Sequence, residues 1–111
     1  MHHTLKIFKA LSDETRLRIM CLLMEQECSE CSVGKITQAM QISQSRTSRN
    51  LRILYDNDLL NMRHDGMRTL YSLNCETDDA IHADLINIIR TMLRQNKKVA
   101  IDREQLKKDN K

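Results

Sequence analysis

Proline and tryptophan are absent from this 111-residue chain, and glycine occurs only twice. So few breakers disfavour a many-stranded sheet and favour long helices. Aromatic residues are 3% of the total, so a core has to be assembled from Leu, Ile and Met, the seven methionines giving adaptable packing. No run approaches about 18 apolar residues, the length a membrane-spanning helix requires. Met1-His2-His3-Thr4 leads straight into an amphipathic segment without the charged-then-apolar layout of a secretory signal, and the expected compartment is the cytoplasm. There the four cysteines, Cys21, Cys28, Cys31 and Cys75, are expected to be reduced, which points to thiol or metal chemistry rather than a disulfide framework. No Ser/His/Asp set, glycine-rich phosphate loop or helical His-x3-His pair is present, so no enzyme is expected. The net charge of +3 is too small to identify a nucleic-acid partner, and the placement of the charge matters more than its sum.

What is present is a succession of amphipathic segments. Leu5, Phe8 and Leu11 share a helical stripe, and Ser12 or Asp13 offers an N-cap to the next helix. Leu17, Met20, Cys21 and Met24 then mark a buried face that Ile19, Leu22 and Leu23 widen, predicting a central helix. After a polar stretch from Gln26, Ser32 caps a short helix with Val33, Ile36, Ala39 and Met40 inward. Gln41-Ile42-Ser43 connects it to a helix over about 44–57 that buries Thr47, Leu51, Leu54 and Tyr55. Two helices joined by so short a turn form a helix-turn-helix. Asp65-Gly66 is a strong hairpin turn signal, and placed there it sets Met62 opposite Thr69 and Leu60 opposite Tyr71. Thr77-Asp78-Asp79 starts a last helix whose stripe is Ile81, Leu85, Ile88, Ile89 and Met92. The expected fold is mostly α, a winged helix-turn-helix of order α-α-α-α-β-β-α with the outer helices forming a dimer interface. It spans residues 1–95, and 96–111 form a charged extension that continues the last helix or frays.

Removing the buried positions of the 44–57 helix leaves Gln44, Ser45, Arg46, Ser48, Arg49, Asn50 and Arg52. The N-terminal part of such a helix lies nearest the bases, so Gln44, Ser45, Arg46 and Ser48 are candidates for base contact. Arg49, Asn50 and Arg52 are candidates for phosphates. No acid occurs between Glu30 and Asp56, so the modest basic excess is concentrated here. Arg63, His64 and Arg68 around the hairpin tip suit the phosphate backbone or minor groove, unless the arginines only keep an edge strand soluble.

Three stretches, Phe8 to Ile19, Ile42 to Leu51 and Arg63 to Leu73, resemble the ArsR/SmtB family of winged-helix repressors. The resemblance implies a homodimer built by the first and last helices, a palindromic DNA operator, and release when an inducer binds. The family's sensing sites match less well. Where arsenite-type members carry Cys-x-Cys, this chain has Ser32 and Gly34, and the cysteines fall upstream as Cys28-Ser29-Glu30-Cys31. The zinc-type site on the last helix is absent, because His82 is followed at the ligand positions by Leu93 and Asn96.

Cys28-x-x-Cys31 has a spacing that chelates one soft ion, arsenite or a soft divalent metal, with a third ligand from Cys75, Cys21, or a neighbouring subunit's histidines, matching His2 and His3 here. The same spacing suits redox or persulfide sensing, and a polar loop with two inert cysteines is the third reading. Against the operator-binding repressor stand a winged-helix protein-interaction module without DNA binding and a small metal-handling or redox protein.

Overall fold

In the computed structural model, residues 2–26, 29–93, 95, 102 and 104–106 are described. The element order is α1 (His2–Leu11), α2 (Glu14–Gln26), β1 (Cys31–Ser32), α3 (Val33–Met40), α4 (Gln44–Asp56), β2 (Leu60–Asp65), β3 (Arg68–Leu73) and α5 (Ala80–Leu93). The architecture is the expected winged helix-turn-helix with one added strand.

Helix α2 organises the rest. Asp13 caps it, its Oδ2 accepting from the Arg16 amide at 3.0 Å. Ile19 through Met24 are then buried without a gap. A helix apolar all round belongs in the middle of a core, and α2 touches α1, α4, α5 and β3. Each fully buried Leu or Ile contributes about 1.5–3 kcal/mol, so this segment supplies much of the driving force.

Ser32 and Ser43 cap α3 and α4 as the sequence suggests, their Oγ atoms each accepting from the third following amide at 3.2 Å. Between those helices Gln41 lies in the left-handed region (φ 55, ψ 46) and closes α3 through its amide to the Thr37 carbonyl. That conformation is uncommon for a residue with a side chain, and it turns the chain sharply enough for Ser43 to start α4.

The hairpin differs in register from the expectation. Asp65 pairs with Arg68, so the turn is Gly66-Met67, with Gly66 at φ 63 as the first central residue. Met62 therefore faces Tyr71 and Leu60 faces Leu73. The slip is two residues, so the same side chains stay on the apolar face. The sheet has a third strand that no sequence pattern announced. Cys31 and Ser32 pair antiparallel with Tyr71 and Leu70, giving the order β1-β3-β2.

Helices α1 and α5 each show two apolar faces. Ile7, Ala10 and Leu11 of α1 point inward, whereas Leu5 and Phe8, which the sequence placed on the same stripe as Leu11, are about half exposed. On α5 the inward residues are His82, Leu85, Ile89 and Leu93, and Ile81 and Ile88 are left on the surface. His3 of α1 reaches Asp79, the residue capping α5, at 3.6 Å, so the two helices begin side by side. Of the charged segment 96–111, all but 102 and 104–106 lie outside the described residues. Asp102 is buried and takes two 2.7 Å hydrogen bonds from Arg18, and Leu106 is fully buried, so this part of the extension is packed rather than frayed.

His82 is buried, and among the described residues its Nε2 has no hydrogen-bond partner. Burial holds its pKa below the usual 6.5, opposed by the nearby Asp79 and Asp58. The unfolded chain thus takes up the proton first, and stability is full above pH 6.5 and is lost as the pH falls from there through the lower folded-state value. Urea midpoints measured from pH 7 to 5.5 are expected to decline for the natural chain. They are expected to decline less for His82→Phe, and equal declines would contradict the assignment.

Candidate nucleic-acid interface

The inner side of α4 is fixed by Thr47, Leu51 and Leu54, all fully buried. Helical geometry then leaves Gln44, Ser45, Arg46, Arg49 and Arg52 exposed, with Ser48 half-buried. The Thr47 hydroxyl bonds back to the Ser43 carbonyl at 3.0 Å, tying the first turn to its cap. This first turn presents the positive end of the helix dipole toward solvent, where an anion is favoured. Arg52 pairs with Asp56 at 3.1 Å and lies 5.7 Å from the Tyr55 ring centre. Arg49 has no ion-pair or hydrogen-bonding partner among the described residues.

Two of the sequence-derived candidates are held more tightly than expected. Asn50 is only 6% exposed, accepts from Arg16 at Oδ1 (2.9 Å) and donates from Nδ2 to the Arg46 carbonyl (2.9 Å). Its reading as a phosphate contact is therefore corrected: it lies inside, between helices. Positions 47, 50, 51 and 54 form an i, i+3, i+4, i+7 stripe, which is the signal that would have placed it there. Arg46 is exposed, yet its guanidinium donates to the Thr15 hydroxyl of α2 at 3.0 Å.

The hairpin stands beside α4. Ser48, Arg49, Arg52, His64, Thr69 and Tyr71 border a shallow cleft of about 400 Å³ between them. A second, of about 320 Å³, runs from Gln44 and Ser48 to Met67 and Arg68. Met67 at the tip is fully exposed. Both wing arginines are partnered. Arg63 makes a two-pronged contact with Glu30 (2.6 and 2.8 Å), and Arg68 meets Asp65 at 3.0 Å. The hydrogen bonds from Arg63 hold the Glu30 carboxyl below its usual pKa. His64 Nδ1 lies 3.4 Å from the Thr69 hydroxyl. Nothing in the sequence signalled the Glu30–Arg63 contact, because partners 33 residues apart leave no local signature.

The cysteines are dispersed. Cys21 is buried in α2, its thiol pushed up to about 11 by desolvation. Cys31 is buried within β1, and burial raises its pKa as well. Cys75 is exposed, and Cys28 lies outside the described residues. Among the described residues no three His, Cys, Asp or Glu side chains converge as a metal site would require.

With this geometry established, comparison with known proteins identifies the scaffold. The description "Bacterial regulatory protein, arsR family" matches residues 13–62. An arsenical resistance operon repressor of Staphylococcus xylosus is 38% identical over 85 residues, covering 77% of this chain and 78% of its own. This chain belongs to the arsR family. The regulator YgaV of Escherichia coli is a further relative, 35% identical over 74% of this chain and 81% of its own length. Among solved structures, HlyU of Vibrio cholerae superposes with a TM-score of 0.68 at 28% identity, over 85% of this chain and 95% of its own. A homodimeric winged helix-turn-helix domain from Mycobacterium bovis superposes with a TM-score of 0.67 at 24% identity, a likeness of fold, over 86% of this chain and 82% of its own. The candidate interface thus sits on the winged helix-turn-helix of an arsR-family regulator. No helix among the described residues is long and apolar enough to cross a membrane.

Thiol chemistry separates these cysteines. In the native state an alkylating reagent near neutral pH is expected to modify Cys75 well before Cys21 and Cys31, which react only at the rate of opening. Mass spectrometry of partly labelled protein checks this, and rapid labelling of Cys31 would show that β1 is not held as described.

Proposed function

We propose that this chain is a transcriptional repressor that binds a palindromic operator as a homodimer and leaves it when an inducer acts. The observation that carries the reading is the exposed outer side of α4 from Gln44 to Arg52, a stretch without acids beside the wing. Gln44, Ser45, Arg46 and Ser48 are at the groove-entering end, and Arg49 and Arg52 lie behind them for phosphates. Arg46 reaches a base by giving up its bond to Thr15. A hydrogen bond from a charged group contributes about 1.5–3 kcal/mol net, less where it is exposed, and a good bidentate base contact discriminates against the wrong base by about 1–3 kcal/mol. The exchange is near balance, so Arg46 contributes more to the choice of base than to total affinity.

One recognition helix reads too few base pairs to define a unique site. Leu5 and Phe8 of α1 and Ile81 and Ile88 of α5 leave apolar surface exposed on helices that start together. A second copy covers that surface and puts two α4 helices on successive major grooves. The word repressor follows the name of the Staphylococcus xylosus relative and its arsenical-resistance counterparts.

Relatives named for arsenical resistance or cadmium resistance suggest a thiophilic inducer. The described donors do not form a ready site for arsenite or a soft metal. Cys31 is buried in β1, which pairs with β3, so a reagent or ion reaching its sulfur has to open its surroundings. Ser32, the other residue of β1, caps α3, which places any such change next to the helix-turn-helix.

Binding of the purified chain to its own promoter DNA across a salt series tests the proposal. Affinity is expected to fall steeply with salt, as phosphate contacts release counterions, and to exceed that for random duplex at every concentration. Equal affinity for both would sink the operator reading. Glu30→Gln, which frees Arg63, is expected to raise affinity severalfold and to steepen the salt slope by about one. Unchanged affinity and slope would mean that Glu30 does not hold Arg63 back from phosphate.

A further inference from the structure

We propose that Arg16 and Asn50 form a positioning pair that sets the angle of the recognition helix relative to α1, and thereby the half-site spacing the dimer accepts. The inference rests on the operator reading above. Arg16 lies in the first turn of α2 and its guanidinium meets three separate groups. Nε donates to the Ala10 carbonyl at 2.5 Å, Nη2 approaches the Lys9 carbonyl at 3.4 Å, and Nη1 donates to Asn50 Oδ1 at 2.9 Å. The two carbonyls belong to the last turn of α1, where helical carbonyls lack partners within the helix. One side chain therefore caps the helix that carries Leu5 and Phe8 and grips the middle of the helix that carries the base-contact candidates.

Asn50 completes the link, because its Nδ2 is committed to the Arg46 carbonyl at 2.9 Å. It shares a buried stripe with Thr47, Leu51 and Leu54, and unlike the Thr47 hydroxyl, which bonds within its own helix, its side chain bonds across to α2. Those neighbours fill the core whatever residue 50 is, so they hold α4 in place but permit small rotation and sliding. A buried hydrogen bond of fixed direction removes that freedom, because displacement leaves both partners unsatisfied. The fork of Arg16 is essential to this role: a lysine offers one point of attachment and cannot grip both α1 and Asn50 with the same geometry. In a dimer joined through α1 and α5, the distance between the two α4 helices depends on how firmly each is fixed to its own α1. Spacing of half-sites is a geometric property of that distance.

The test uses the full chain and duplexes selected by it from a random pool. Affinity is measured for the selected duplex, for versions with one base pair inserted or deleted at the dyad, and for random DNA. The natural chain is expected to prefer the selected spacing by about tenfold or more. In Arg16→Lys and in Asn50→Leu, each used only after circular dichroism and urea midpoints show a folded chain, that preference is expected to shrink to about threefold or less. Affinity for random DNA and the salt slope should stay unchanged. Combining the two changes is expected to cost no more than either alone, since both break one link. Spacing preference retained in Asn50→Leu would overturn the proposal, as would an equal loss on every duplex. A natural chain that selects no duplex over random would instead overturn the operator reading beneath it.

Discussion

The burial of α4 against α2 is the contact on which the rest depends. Because Ile19 to Met24 are enclosed on all sides, α4 has one way to lie down, with Thr47, Leu51 and Leu54 inward. That orientation leaves the arginines and small polar residues of 44–52 outside, apart from Asn50. The wing is anchored by the same core through Leu60, Tyr71 and Leu73. Surface chemistry thus follows from interior packing, and a change of helical phase in α4 would hide Arg49 and expose Leu54.

Electrostatics refine this picture. The arginines of the wing are not spare charges in the free protein. Arg63 is held by Glu30 and Arg68 by Asp65, so the hairpin carries little net positive field until a stronger anion competes. Glu30 stands one residue before β1. Strand β1 with Cys31, the cap of α3 and the wing are consequently joined over a few residues. On α4, Arg49 has no partner among the described residues, and the helix N-terminus adds its own positive end.

Periodic features were legible in the sequence. The phase of α2, the caps Ser32 and Ser43, the turn between α3 and α4 and the hairpin follow from spacings that local chemistry enforces. What escaped depends on distant partners. Strand β1 is two residues long and exists because β3 offers it an edge. The turn at Gly66-Met67, with glycine at the first central position, satisfies a hairpin rule as well as Asp65-Gly66 does, and the choice between them lies in cross-strand pairing rather than in either dipeptide. Asn50 was read as a surface amide because its side chain is polar, although the stripe already placed it inside. Leu5, Phe8, Ile81 and Ile88 belong to a second apolar face that a single chain cannot cover, so periodicity signalled their character but not which surface would receive them.

The most direct test of the account is to place a photoreactive side chain at Gln44, and separately at Ile88, and irradiate each protein bound to duplex carrying its selected site. Cross-links to DNA are expected from position 44, and cross-links to a second protein chain from position 88. Cross-links to DNA from position 88, with none from position 44 in a complex that forms, would contradict that arrangement.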